Sequence, residues 1–141
     1  NRPIFGVRTT RLLLGAYREP ALAVLDARRG QVYIEGAGLE RPICCRPEDA
    51  IGHIQLRKPT CLLGDGARRY GDIFRGLTPL LHLPADEELH YPKAALIPAC
   101  CIGQSAADLT TLEPVYVRPS DAELNYPDGF PDAVKQPPKK P

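Results

Sequence analysis

The sequence predicts an α/β domain, a layered fold with a mixed β-sheet and flanking helices, and three observations carry that expectation. A compact apolar run, Ala21-Leu22-Ala23-Val24-Leu25-Asp26, is answered across a glycine turn by Gln31-Val32-Tyr33-Ile34-Glu35, which reads as a β-hairpin. A second apolar run, Cys61-Leu62-Leu63, leads straight into Gly64-Asp65-Gly66 and a helical stretch. Short strands then alternate with helical segments along the chain. Strand order does not follow from the pattern.

The elements read in order as follows. Arg2 to Val7 is a short extended run, and Thr9 or Thr10 is placed to cap a helix through Leu12, Leu13, Leu14 and Ala16. Ala21–Asp26 has the composition of a strand buried on both faces. Ala27-Arg28-Arg29-Gly30 is the turn, with Gly30 where a tight hairpin needs positive φ. Arg41 to Cys45 reads as a third strand, and Pro47-Glu48-Asp49 as a helix start with Ala50, Ile51 and Ile54 on its buried side. A helix over Ala67–Phe74 buries Tyr70, Ile73 and Phe74, and Leu80 to Leu83 is another strand. A helical region between Lys93 and Asp108 contains Pro98, so that Pro98 either opens the helix or kinks it. Leu112 to Arg118 is strand-like or extended. From Pro119 onward proline is dense, with six of the chain's sixteen prolines, which predicts an extended tail over 119–141 beside a folded unit over 1–118.

Composition limits function. The chain has 141 residues, enough for one core, with 43% hydrophobic and 25% charged residues. A net charge of +1 gives no long-range field that favours a polyanion. No apolar run approaches the ~18 residues of a membrane span, and Asn1 to Gly6 lacks the apolar region of a signal peptide. The chain begins with Asn and contains no Met, which predicts a piece of a longer translation product. The five cysteines, Cys44, Cys45, Cys61, Cys100 and Cys101, form no C-x-x-C and read as small buried side chains in a reducing cytosol.

Chemistry is sparse. His53, His82 and His90 show no metal-binding spacing, and neither Ser105 nor Ser120 has a local partner for nucleophilic catalysis. Gly64-Asp65-Gly66 at a helix start is a candidate anion site through its backbone N–H groups, with Asp65 as a cation holder; the competing reading is a tight turn capped by Asp65. In Asp26-Ala27-Arg28-Arg29-Gly30-Gln31-Val32-Tyr33 the arginine forks suit phosphate or carboxylate. A solvated turn, with Asp26 accepting from a neighbouring N–H, explains the segment as well.

Asp26 to Tyr33 resembles the D-A-R-x-G-E/Q-V-Y segment of the TsaB (YeaZ) family. Ile4-Phe5-Gly6-Val7 is similar to the family's I-x-G-V strand, Leu63-Gly64-Asp65-Gly66-Ala67 to its G-D-G-A turn, and Leu112-Glu113-Pro114-Val115-Tyr116-Val117-Arg118 to its closing L-E-P-x-Y-x-R motif. The four motifs stand in family order over residues 3–118. Thr9-Thr10-Arg11 departs from the family's Ser-x-Glu helix start.

The resemblance implies the second lobe of a two-lobed actin/Hsp70/sugar-kinase fold, with an RNase H-like sheet. It implies a cytoplasmic, non-catalytic scaffold that acts with TsaD and TsaE in making threonylcarbamoyladenosine at adenosine 37 of tRNA. Contact with tRNA would be indirect, ATP and Mg²⁺ would belong to the assembled complex, and homodimerisation is left open. The residues it singles out as fold signature or ligand contacts are Asp26, Arg28, Arg29, Gly30, Tyr33, Gly64, Asp65, Gly66, Glu113, Tyr116 and Arg118. Alternatives are a nucleotide-binding lobe with Gly64–Gly66 facing ATP and, from superfamily naming alone, an M22-type metallopeptidase.

Overall fold

The computed structural model describes residues 2–126 and Asp128. Its centre is a five-stranded mixed sheet in the order β3-β2-β1-β4-β5. Strand β1 is Ala21–Asp26, β2 Val32–Gly36, β3 Ile43–Cys45, β4 Thr60–Leu63 and β5 Leu81–His82. β1 pairs antiparallel with β2, from Leu22 opposite Gly36 to Asp26 opposite Val32. β2 pairs antiparallel with β3, whereas β4 lies parallel to both β1 and β5. A parallel neighbour needs a crossover, and helix α2, Asp65–Leu77, supplies the one between β4 and β5.

The two faces of β1 sort by parity, as the strand period demands. Leu22 and Val24 join Val32, Ile34, Leu62, Ala67 and Phe74 in the larger core beneath α2. Ala21 and Ala23 join Cys61, Leu63 and Leu13 beneath helix α1, Thr9–Gly15. Each of these residues is under a tenth exposed, so the expectation of a strand buried on both faces holds for Ala21–Val24. The small side chains of Ala21 and Ala23 let α1 sit close to the sheet.

Several expectations are corrected. Arg8, not Thr9 or Thr10, occupies the cap position of α1, and no side chain caps it. Thr10 is diverted to a buried carboxylate, a tertiary partner that outcompetes the local cap. Pro47–Gly52 is a 3-10 helix, and Ile51 is 39% exposed while Ala50 and Ile54 are buried. Helical structure between Lys93 and Asp108 is confined to a 3-10 turn, Ala94–Leu96, and helix α3, Ile97–Cys101. Pro98 lies in the first turn of α3, where its missing N–H is harmless. Leu112 to Arg118 runs without ladder partners.

The tail expectation is also revised at its start. Helix α4 covers Asp121–Asn125. The Glu123 N–H donates to Ser120 Oγ and the Ser120 N–H to a Glu123 carboxylate oxygen, a reciprocal capping box. The Ser-x-x-Glu spacing was present in the sequence but masked by the surrounding prolines. Of the expected tail, residues 119–126 and Asp128 are described, and the rest lies outside the described residues.

Candidate functional site

The hairpin turn is closed by two backbone hydrogen bonds. The Ala27 N–H donates to Gln31 O and the Gln31 N–H to Arg28 O, both at 3.0 Å. Gly30 has the expected positive φ, 70°, but Arg28 at 62° and Arg29 at 53° are left-handed too. Such backbone is unfavourable for residues with a Cβ, by roughly 1–2 kcal/mol each. It is held from both sides. Asp26 Oδ1 accepts the Arg28 N–H at 2.9 Å, and Arg118 Nη1 donates to Gln31 Oε1 at 2.9 Å and to Ala27 O at 3.3 Å.

The Asp26 carboxylate is 7% exposed and is neutralised by Arg69 Nη1 at 2.9 Å, with Arg28 Nη1 at 3.6 Å. The bond from a neighbouring N–H to Asp26 agrees with one of the two readings of the segment, the solvated turn; the ion pair with Arg69, on the first turns of α2, belongs to neither. Below the hairpin, Asp65 Oδ1 accepts the Gly66 N–H at 2.9 Å and the Asp26 N–H at 3.2 Å. Asp65 is therefore the first helical residue and a clamp between turn and hairpin, while Gly64 holds the cap position. This corrects the reading of Asp65 as the cap.

Gly64 and Gly66 are dictated by close approach. A Cβ on Gly64 would lie 2.4 Å from Val24 O, and one on Gly66 2.8 Å from the carbonyl carbon of Leu25. One N–H group that an anion would need here already has an acceptor, Gly66 on Asp65, and His90 Nδ1 stands 3.1 Å from Gly64 N, on the ground an anion would occupy. The turn therefore fits the tight-turn reading better than the anion reading.

His90 is 3% exposed, and its Nδ1 also lies 3.1 Å from Gly64 O. Burial pushes its pKa below the ordinary value; Glu87 and the Gly64 bond oppose this, and Arg68 adds to the lowering. The unfolded chain thus binds more protons than the folded one below about pH 6.5. The associated stability is fully present above that pH and is lost as pH falls toward the folded pKa. Denaturation measured from pH 7.5 to 5 should show this loss, at up to about 1.4 kcal/mol per pH unit while the group titrates. His90→Gln should flatten it; an unchanged slope would mean another group is responsible.

On the α1 face, Leu25, Tyr33 and Glu35 form the floor of a cleft of about 760 Å³ walled by Gly6–Thr10 and Leu112–Arg118. Tyr33, Glu113, Tyr116 and Arg118 of the sequence-derived set meet here, while Asp26, Gly64, Asp65 and Gly66 cluster at the carboxyl ends of β1 and β4. Arg118 ties the cleft wall to the hairpin turn through Ala27 and Gln31. Arg28, Arg29 and Gly30 form the turn itself, outside the cleft. The I-x-G-V segment is beside the closing motif: a Cβ on Gly6 would stand 2.9 Å from Leu112 Cδ1.

Sequence reasoning missed Glu35. Its side chain is 8% exposed, with Arg8 Nη2 at 2.5 Å and Arg11 Nε at 3.1 Å from Oε1. Thr10 Oγ1 donates to Oε2. The signal available was an acid on the same strand face as Tyr33, opposite Ala23. The cleft is otherwise mainly apolar, and its buried acid is fully engaged, which suits binding of apolar or aromatic groups more than proton transfer.

The cysteines divide. Cys45 and Cys61 are buried, whereas Cys44, Cys100 and Cys101 are half-buried, so the reading of small buried thiols holds for two. Burial, helped by Cys44 and Asp49, pushes the Cys45 thiol up to about 11, and burial raises Cys61 as well. Both are protonated near neutrality and poor nucleophiles. Among the described residues, no group of three His, Cys, Asp or Glu side chains could hold a metal ion, and no helix is long and apolar enough to cross a membrane.

Fold and site together define an α/β domain: a mixed five-stranded sheet flanked by helices, with an apolar cleft on one face. No family model matches the sequence, and no curated protein matches it significantly.

Proposed function

We propose that this chain is one lobe of a TsaB-type scaffold subunit, with an RNase H-like sheet. It acts in the cytoplasm with TsaD and TsaE homologues in threonylcarbamoyladenosine formation at adenosine 37 of tRNA. It carries no catalytic residues of its own, contacts tRNA only indirectly, and leaves ATP and Mg²⁺ to the assembled complex.

The observation that carries this reading is that the four ordered motifs touch one another. Asp26 N–H bonds Asp65, Arg118 bonds Ala27 and Gln31, and Leu112 packs against Gly6. Residues that recur as a set because they build a common fold are expected to be in contact. A hairpin-opened meander, β3-β2-β1, followed by two parallel strands supports the RNase H-like assignment. Asp26, Asp65 and Glu35 each bond a cation or a backbone N–H, which supports structural rather than acid–base roles.

Co-purification tests the proposal. The full-length protein containing this chain, mixed with TsaD and TsaE homologues of the same source, should be recovered as a complex. Failure to co-elute across several salt and nucleotide conditions would overturn it.

A further inference from the structure

We propose that the cleft on the α1 face binds an extended peptide segment of a partner protein, with apolar side chains turned to the cleft floor and basic ones turned to its rim. The observation that carries this is unpaired main chain. The two walls, Gly6–Thr10 and Leu112–Arg118, stand on either side of a floor that includes Leu25 and Tyr33. Among the described residues, Gly6, Val7, Val115, Tyr116 and Val117 make no hydrogen bond through main chain or side chain. Main-chain N–H and C=O groups need partners wherever water is excluded. An extended peptide laid between such segments supplies them, as an added strand does at a sheet edge. Pro114 has no N–H to give, which leaves Val115–Val117 as the run that pairs.

The side chains of the cleft fix the character of the peptide. Successive side chains of an extended chain point to opposite sides. Those turned inward meet Leu25 and Tyr33, which are partners in the β1–β2 ladder and share a face of the sheet. Those turned outward pass the rim, where Tyr116 is 79% and Val115 57% exposed. Four charged side chains line the cleft: Arg8, Glu35, Glu113 and Arg118. Arg8 is held by Glu35, and Arg118 donates to Ala27 and Gln31. Glu113 is exposed and has no partner among the described residues. The charge left for a ligand is therefore negative, and a lysine or arginine complements it. The exposed Tyr116 ring on the same wall attracts a cation as well. The inference does not rest on the TsaB reading.

The test uses the full chain and a synthetic probe, acetyl-Val-Lys-Val-Lys-Val-amide, followed by NMR. Millimolar peptide should shift the amides of Val7 and Val115–Val117 and slow their exchange with solvent. Glu113→Gln, which breaks no bond of the folded chain, should weaken binding about two- to fivefold. The same peptide with glutamate in place of lysine should bind more weakly still, and N-methylation of its central residues should abolish binding. No shift at these amides, unchanged affinity of Glu113→Gln, or equal binding of the lysine and glutamate peptides would overturn the proposal. Undiminished binding of the N-methylated peptide would also overturn it, by reducing the site to an apolar pocket. Shifts at the same amides that grow with protein concentration in the absence of peptide would assign the cleft to a second copy and overturn it too.

Discussion

Gly64→Ala is expected to destabilise the protein by about 3 kcal/mol or more, which lowers the melting temperature by roughly 10 °C. Two costs combine. Gly64 has φ 106° and ψ 173°, backbone that is essentially glycine-only. The new methyl would also lie 2.4 Å from Val24 O, and Val24 sits on the central strand, paired on one side with Ile34. Retreat of that oxygen would shift the Val24 peptide against its neighbour Ile34. Displacing Gly64 would also separate it from His90 and loosen the Asp65 clamp on Asp26. Gly76→Ala is the matched control: it lies in α2 with nothing near its Cβ, so the same substitution should be neutral or stabilising by up to about 1 kcal/mol. Denaturant melts of both variants check the pair. A cost below about 1 kcal/mol for Gly64→Ala would refute the close approach of the β4–α2 turn to β1.

Glu35→Ala is expected to cost about 2–3 kcal/mol. The carboxylate is nearly buried, and removing it strands the Thr10 hydroxyl, itself 9% exposed. The two arginines soften the loss, because Arg8 at 35% and Arg11 at 61% side-chain exposure can turn to water. Glu35→Gln keeps the shape and one acceptor oxygen and should cost about half as much. Hydrogen exchange should quicken in the first turn of α1 in both variants. It should stay slow near Leu13, which the core holds independently. Equal stability of Glu35→Ala and wild type would show that these bonds contribute nothing.

Much of the architecture was legible because it is written in local chemistry. β1 and β2 follow from an apolar run, a glycine turn and β-branched residues, and the structure pairs Asp26 with Val32 as that turn requires. Helix α2 is legible from Gly64-Asp65-Gly66 and the Phe74 face. Signals failed where a distant group redirected a local one. Thr10 looks like a cap, but its hydroxyl finds Glu35, twenty-five positions away. Pro-rich surroundings concealed the Ser120–Glu123 box.

The sequence by itself determined strands β1, β2 and β4 and helices α1 and α2, where the hairpin turns, and that four motifs stand in order. Hydrophobic period and turn residues act over a few positions, and a chain can be read at that range. Only the tertiary structure decided that β4 lies parallel beside β1, since pairing depends on loop paths and two-sided burial. It also decided that Asp65 clamps Asp26, that Arg118 braces the turn, and that Glu35 gathers Arg8, Thr10 and Arg11 under a cleft. Those bonds join residues 24 to 91 positions apart, and charges or hydrogen-bond partners at such separations leave no periodicity in a single sequence.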